Sequence, residues 1–345
     1  MSPETPGDTV QASPPTARMM EFYDGLRFAH LLSVIAGLGV ADEVAAQPLP
    51  VDEIAARTGT HADALYRALR AVASEGVFTE VAPRVFGLTE LAETLRSDVD
   101  GSLRDVFRLQ EQPFMWSSYA NLGSTLRTGE PSFEGIHDTD LYSYLSERPD
   151  LSKLFSSAMG EASHEVRRAA VDAYDLSRVR LLVDVGGGHG HLVAAMLSRY
   201  PQLRGVVFDL PHVVSAATAV LAAAGVSDRA EIVGGDYRSS LPAGGDAYLL
   251  SNVVHQMTDA EAVTVLRAIR EVMDPAGQVI VLGVLIPEGN VPHTSKLLDI
   301  TMMALSRGRF RTEAELTSLL AKADLRHVDT IERPAPASTV VAVPD

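Results

Sequence analysis

The chain contains no cysteine. Disulfides, thiolate metal sites and a cysteine nucleophile are therefore excluded. Positive charge is scarce as well: 29 lysines and arginines face 45 aspartates and glutamates, a formal net charge of −16. A surface this acidic repels nucleic acid and anionic lipid, so general binding to either is not expected. Long hydrophobic runs are missing. Stretches such as Val213–Val226 fall short of the roughly 18–20 residues that cross a bilayer. The histidines include no H-x-x-x-H pair, and without thiolates no metal site is expected. Met1–Thr16 is rich in proline, serine and threonine, with two acids and no basic cluster. It reads as a disordered leader rather than a signal peptide. What remains, 46% hydrophobic and 21% charged over 345 residues, is an ordinary globular protein, cytoplasmic by default. Its length suggests about two domains.

There is no internal repeat, and three regions differ in texture. The first, 17–100, opens with an apolar helical stretch, Met19–Val40, broken at Gly37 and Gly39. A short helix follows, with Asp52 as N-cap and Gly59 as stop. A second helix, Ala62–Ser74, is capped by Thr60 and closed by Gly76. Val77–Val81 and Val85–Leu88 then flank a turn at Pro83. Two short helices and a two-stranded wing make a winged helix. A DNA-binding regulator is one reading of it. Residues 51–100, however, carry nine acids against five bases, and Arg67 with Arg70 is a thin footprint for phosphates. A dimerisation module fits better, with Phe28–Val40 as the surface of a homodimer. The second region, 101–174, is mostly helical and holds large side chains, among them Trp116 and Met159. Some of these belong to core and some to a ligand pocket.

The third region, 175–345, alternates strands and helices. The strands expected are Leu181–Val185, Gly205–Asp209, Ala230–Val233, Asp246–Ser251, Gln278–Leu285, His327–Ile331 and Thr339–Val343. Their β-branched apolar runs suit strands buried on both faces. The pattern predicts an α/β, Rossmann-like, doubly wound and mostly parallel sheet. The strongest signal is a strand running into Val185-Gly186-Gly187-Gly188-His189-Gly190. Glycines serve where the backbone turns sharply or meets a ligand. A strand, a glycine loop and a helix start place this loop at the carboxyl edge of the sheet, where such folds bind nucleotides. The dinucleotide pattern G-x-G-x-x-G fails at His191, which counts against an NAD(P) dehydrogenase.

What fits is an acid followed by three spaced glycines: Asp184, Gly186, Gly188 and Gly190. This resembles motif I of the class I methyltransferases that use S-adenosylmethionine. On that resemblance Asp209, with Leu210 beside it, would hold the ribose hydroxyls at the second strand end. Asp236 would accept from the adenine amino group, and Tyr237 would pack on the ring. Further on, Ser251-Asn252-Val253-Val254-His255-Gln256-Met257 leads into Thr258 and Glu261, the two ends of a capping box. This stretch resembles the segment bearing the catalytic histidine of the plant caffeate-type and bacterial polyketide-type small-molecule O-methyltransferases. With the winged-helix start and the Arg311–Leu316 ending, the resemblance spans nearly the whole chain.

The resemblance implies an S-adenosylmethionine-dependent O-methyltransferase acting on a small aromatic or polyketide hydroxyl. His255 would be the general base, and Ser251 and Lys153 would face the cofactor. Trp116, Met159, Asn252, Met302 and Met303 would line the acceptor pocket. Where plant members carry acids around the histidine, this chain has Gln256, Gly283 and Phe310, with Asp299 as a candidate substitute. C- or N-methylation, or a non-methylating reaction such as hydroxylation or cyclisation, are the alternatives on the same fold.

Overall fold

A proline at the first helical position starts the longest helix, Pro15–Leu38. Gly39, left-handed at φ 70°, ends it and bonds back to the Ala36 carbonyl. The structure is a computed structural model that describes residues 14–162, 171, 174–331 and 338–345. Most of the expected leader lies outside these residues, but Pro15 and Thr16 belong to the helix. Gly37, expected to break it, does not. A helical glycine costs only about 1 kcal/mol, and a Cβ there would stand 2.5 Å from the Glu111 carboxylate. The described residues form two compact units, Met1–Trp116 with Asp150–Ala162, and Ser117–Pro149 with Ser163–Asp345. The helical middle of the chain contributes to both.

In the first unit, helices Val51–Thr58 and Ala62–Ala73 precede a hairpin of β2 (Phe78–Ala82) and β3 (Val85–Leu88). Gly59 stops the first helix, at φ 67°. The expected caps differ. Asp52 lies inside the first turn rather than at the cap, where its charge suits the helix dipole. The second helix is capped by His61, whose Nδ1 accepts from the Ala64 amide at 3.4 Å, while the Thr60 hydroxyl pairs with Thr58. A two-residue strand, β1 (Leu49–Pro50), joins the edge of β3; two residues are too few to show alternation. Ile35, Val40, Ile54, Leu69, Val72, Phe78 and Phe86 form the core. The expected surface at Phe28–Val40 is thus largely spent inside the unit. The exposed apolar row lies earlier, at Met19, Met20, Phe22, Tyr23 and Leu26.

The second unit holds a seven-stranded sheet in the order β6-β5-β4-β7-β8-β10-β9. The strands are β4 (Leu181–Val185), β5 (Arg204–Asp209), β6 (Ala230–Gly234), β7 (Ala247–Ser251), β8 (Gln278–Gly283), β9 (Leu325–Ile331) and β10 (Ser338–Pro344). The first five are parallel, and β10 runs antiparallel between β8 and β9. β8 ends at Gly283, short of the expected Leu285, which instead bridges to Arg311. Alternate residues feed two cores. Val183, Val185, Val206, Phe208, Tyr248, Leu250 and Val281 pack with the helices at 259–272 and 313–322. Leu182, Val207, Leu249, Ile280 and Leu282 pack with the helix at 191–199. Strand order reverses beside β4, between β5 and β7, and a crevice at such a point is where open α/β sheets bind ligands. No helix among the described residues is long and apolar enough to cross a membrane.

Candidate active site

Each glycine of the loop after β4 has its own reason to be glycine. Gly186 has φ 73°, and a Cβ on it would stand 2.6 Å from Val253 Cγ2, so the loop after β4 touches the loop after β7. Gly190, at φ 76°, caps the helix His191–Arg199 and lets it approach Val207 and Ala217. Gly188, at φ 56°, meets nothing within 4 Å on that side, and so leaves open space at the sheet edge. Gly187 lies on the Asp184 carboxylate: a Cβ would be 2.9 Å from Oδ2.

Asp184 is 1% exposed, and its Oδ1 has no hydrogen-bond partner among the described residues. Burial pushes its carboxyl up to about 7, and the charge of Asp209 adds to the shift. At the next strand end, Asp209 Oδ2 accepts the Gly188 amide at 2.8 Å and Oδ1 accepts the Leu210 amide at 2.7 Å. Leu210 is exposed and opens the helical turn Pro211–Val214. After β6, the Gly235 amide bonds to the Asp209 carbonyl, and the glycine lies against the Phe208 ring. Asp236 Oδ1 accepts the Arg238 amide at 2.9 Å, and the Arg238 guanidinium lies 5.2 Å from the Tyr237 ring centre. The three expected acids therefore stand at three neighbouring strand ends.

β7 ends at Ser251, half-buried and paired with Leu282. Asn252 follows in the left-handed region at φ 56°. Its amide bonds to the Leu282 carbonyl, and its carbonyl accepts from Gln256 Nε2 at 2.9 Å. Val254–Gln256 form a single 3₁₀ turn carrying His255, and Thr258 with Glu261 makes the expected capping box on the next helix. The His255 ring stacks on Phe310, centroids 4.5 Å apart and planes 15° from parallel. Burial, with the nearby Arg311 guanidinium second, pushes the imidazole down to about 4, so it is neutral at pH 7. Asp299 is not its carboxylate partner. Its Oδ1 accepts the Phe310 amide at 2.7 Å and so holds the stacking ring instead. A Cβ on Gly283 would stand 3.7 Å from Asn252 Oδ1, and Gln256 Oε1 accepts from the Tyr142 hydroxyl at 3.0 Å.

Met302 and Met303 are half-buried on helix Thr294–Leu305; the Met302 methyl sits where a Cβ on Gly308 would point, at 2.8 Å. Trp116, Lys153 and Met159 belong to the first unit. There the Trp116 ring meets His30 edge-on at 4.8 Å, and its indole N–H is buried without a partner among the described residues. Lys153 and Met159 are exposed on helix Pro149–Ala162. Reading the sequence missed Tyr142, Gly308 and Arg311 as neighbours of the His255 turn. A lone tyrosine, glycine or arginine some 50–110 residues away carries no local pattern. No cluster of metal-ligating side chains occurs among the described residues.

Comparison with known proteins agrees with this geometry. The model of the O-methyltransferase domain matches residues 119–326, and that of the O-methyltransferase dimerisation domain matches residues 20–98. The chain is 37% identical over 341 residues to phenazine O-methyltransferase PhzM of Lysobacter antibioticus, covering 98% of each chain. The crystal structure of LaPhzM superposes with a TM-score of 0.91 at 36% identity, covering 96% of this chain and 100% of that one. The S-adenosylhomocysteine-bound structure of CalO1, a methyltransferase of calicheamicin biosynthesis, gives 0.84 at 31% identity, covering 96% and 99%.

Proposed function

Because the chain belongs to the O-methyltransferase family, we propose that its crevice is divided between a methyl donor and an acceptor hydroxyl. The protein is an S-adenosylmethionine-dependent methyltransferase acting on a hydroxyl of a small aromatic or polyketide-type natural product. The observation that carries the division is one juxtaposition. A buried carboxylate, Asp184, whose Oδ1 has no partner among the described residues, lies under a loop that touches, through Gly186 and Val253, the segment carrying a neutral imidazole, His255.

The donor side fits S-adenosylmethionine by its chemistry. A buried carboxylate with an oxygen left unpaired among the described residues calls for a cation, and the cofactor's amino-acid tail carries an ammonium. Asp209 has carboxylate lone pairs to spare beyond the two amides it accepts, enough for ribose hydroxyls. Asp236 and Tyr237 supply an acceptor and a flat ring for the base. Gly188 leaves the room, and Ser251 closes the β7 side. When bound, the cofactor supplies a methyl group on a sulfonium, which leaves without acid assistance.

The acceptor side must deal with a proton. A phenol titrates near 10 and His255 near 4. Moving the proton before bond formation would therefore cost about 8 kcal/mol. The proton instead moves as the acceptor oxygen gives its lone pair to the methyl carbon, when that oxygen is most acidic. His255, uncharged and ready to accept, takes it. Base catalysis of this kind is worth about 10²–10⁴-fold, and a base this weak belongs at the lower end. Asn252, Met302 and Met303 shape this side; flexible thioethers suit a pocket for flat apolar rings. We assign the exposed row Met19–Leu26 to a second copy of the chain in a homodimer, working in the cytoplasm. The test is incubation with methyl-labelled S-adenosylmethionine and a panel of a hydroxyphenazine, hydroxynaphthoates and simple phenols. Label is expected on an oxygen of at least one; label on carbon or nitrogen alone would refute O-methylation.

A further inference from the structure

The 3₁₀ turn that carries His255 is gripped from behind by the segment 308–311. We propose that Arg311 is the positioning residue that sets the His255 imidazole for proton transfer. The proposal rests on the reading of His255 as the base and adds how the chain holds it without a carboxylate on the ring.

Arg311 is 4% exposed, and all five of its N–H groups have acceptors. Nε and Nη2 donate to Asp259 Oδ1 at 3.0 and 2.8 Å. Nη2 also donates to the Met257 carbonyl at 2.8 Å, and Nη1 to the carbonyls of Val254 at 2.8 Å and Arg309 at 3.2 Å. Val254 and Met257 bracket His255 on both sides, and both are buried. A lone 3₁₀ turn has poor internal hydrogen bonds. Without Arg311 the buried Met257 carbonyl would lose its guanidinium donor, and the Val254 carbonyl would keep only the Met257 amide at 3.3 Å. The turn would then have little reason to keep its shape.

The rest of the segment works in the same direction. A Cβ on Gly308 would stand 2.3 Å from the His255 carbonyl, so only glycine lets the strap lie on the turn. Phe310, next to Arg311, supplies the flat surface under the imidazole, and its own amide is fixed by Asp299. One arginine thus fixes the backbone on either side of the histidine, while its neighbour fixes the ring plane. The charged side chains ranged about the turn are Arg311, Arg309, Asp259 and Asp299. Burial raises the Asp259 carboxyl, but its bonds to Arg311 and the charges of Arg311, Arg309 and Lys322 outweigh this and hold it below the usual range. The grip therefore stays ionised at neutral pH. Lysine cannot replace it: an ammonium has three donors and no planar fork.

The test is a histidine-selective ¹⁵N NMR titration of the full chain with S-adenosylhomocysteine, the His255 signal being identified by its loss in His255→Gln. Arg311→Lys keeps the charge and removes the fork, so any change reports geometry. In the wild type the ring is expected to stay neutral down to about pH 5. In Arg311→Lys its midpoint is expected to rise by about one unit or more as the turn loosens and the ring meets water. A folded Arg311→Lys protein with an unchanged His255 titration overturns the proposal. Should that variant not fold, Asp259→Glu, which keeps both charges and moves the carboxylate off the fork, decides, with a rise of about half a unit expected and no rise overturning it. The base reading fails separately, if His255→Gln keeps wild-type turnover; the NMR result judges Arg311 regardless.

Discussion

At the ends of β4 and β5 the crevice presents carboxylates, Asp184 and Asp209, beneath backbone amides of a glycine loop. At the end of β7 it presents an imidazole lying flat on a phenyl ring with a guanidinium behind. Desolvation drives both sides toward neutrality, in opposite directions: Asp184 up to about 7, His255 down to about 4. One side is thus short of a positive charge, and the other resists acquiring one. On the proposed division, the contrast would let a single crevice hold a cationic donor and take a proton from a neutral acceptor without the two charges competing for the same groups.

The largest expected effect breaks the donor side. Gly186→Val forces a β-branched residue to φ 73° and drives a side chain into Val253, 2.6 Å away. The strain alone is about 1–2 kcal/mol, and with the clash the affinity for S-adenosylhomocysteine should fall by more than about 100-fold. Calorimetric binding within threefold of wild type would show that the loop does not touch the donor.

A middle-sized effect concerns pH. The folded carboxyl of Asp184 titrates above its unfolded value, so the stability it contributes is present below about 4 and is lost as pH rises through 7. A bound cation needs the ionised form. Donor affinity should therefore rise by up to about tenfold per pH unit approaching 7 and level off above it. Asp184→Asn should flatten both the stability and the affinity profiles. A sloping profile in that variant would assign the titration elsewhere.

The smallest effect probes the acceptor side. The Tyr142 hydroxyl donates to Gln256 at 3.0 Å. Such a bond is worth about 1 kcal/mol, so Tyr142→Phe should change acceptor kcat/KM by no more than about fivefold. A larger loss in steady-state assays would move Tyr142 into the acceptor machinery.

Much of this was legible in the sequence. Strand ends with an acid or a glycine announce the sheet edge, because buried apolar runs stop where polar residues begin; Asp184, Asp209 and Asp236 were found that way. The capping box at Thr258 is a local pattern and held. The caps at Asp52 and Thr60 failed, because a proline before one helix and a histidine before the other competed for the same task. The short strand Leu49–Pro50 was invisible, since its pairing with β3 is the whole of its evidence. The surroundings of His255 were the least legible. Asp299, in sequence a candidate substitute for the missing acids, instead holds Phe310, and Arg311 bonds to carbonyls that no sequence pattern marks.

The division of the crevice is tested most directly by two variants measured side by side. Asp209→Ala should weaken S-adenosylhomocysteine binding by about 10–100-fold, the worth of a hydrogen bond to a charged group, and leave kcat at saturating donor within threefold of wild type. His255→Ala should do the reverse, lowering kcat by about 100-fold with donor affinity unchanged. If both variants lose the same quantity, or His255→Ala turns over like the wild type, the two sides do not do the separate work assigned to them here.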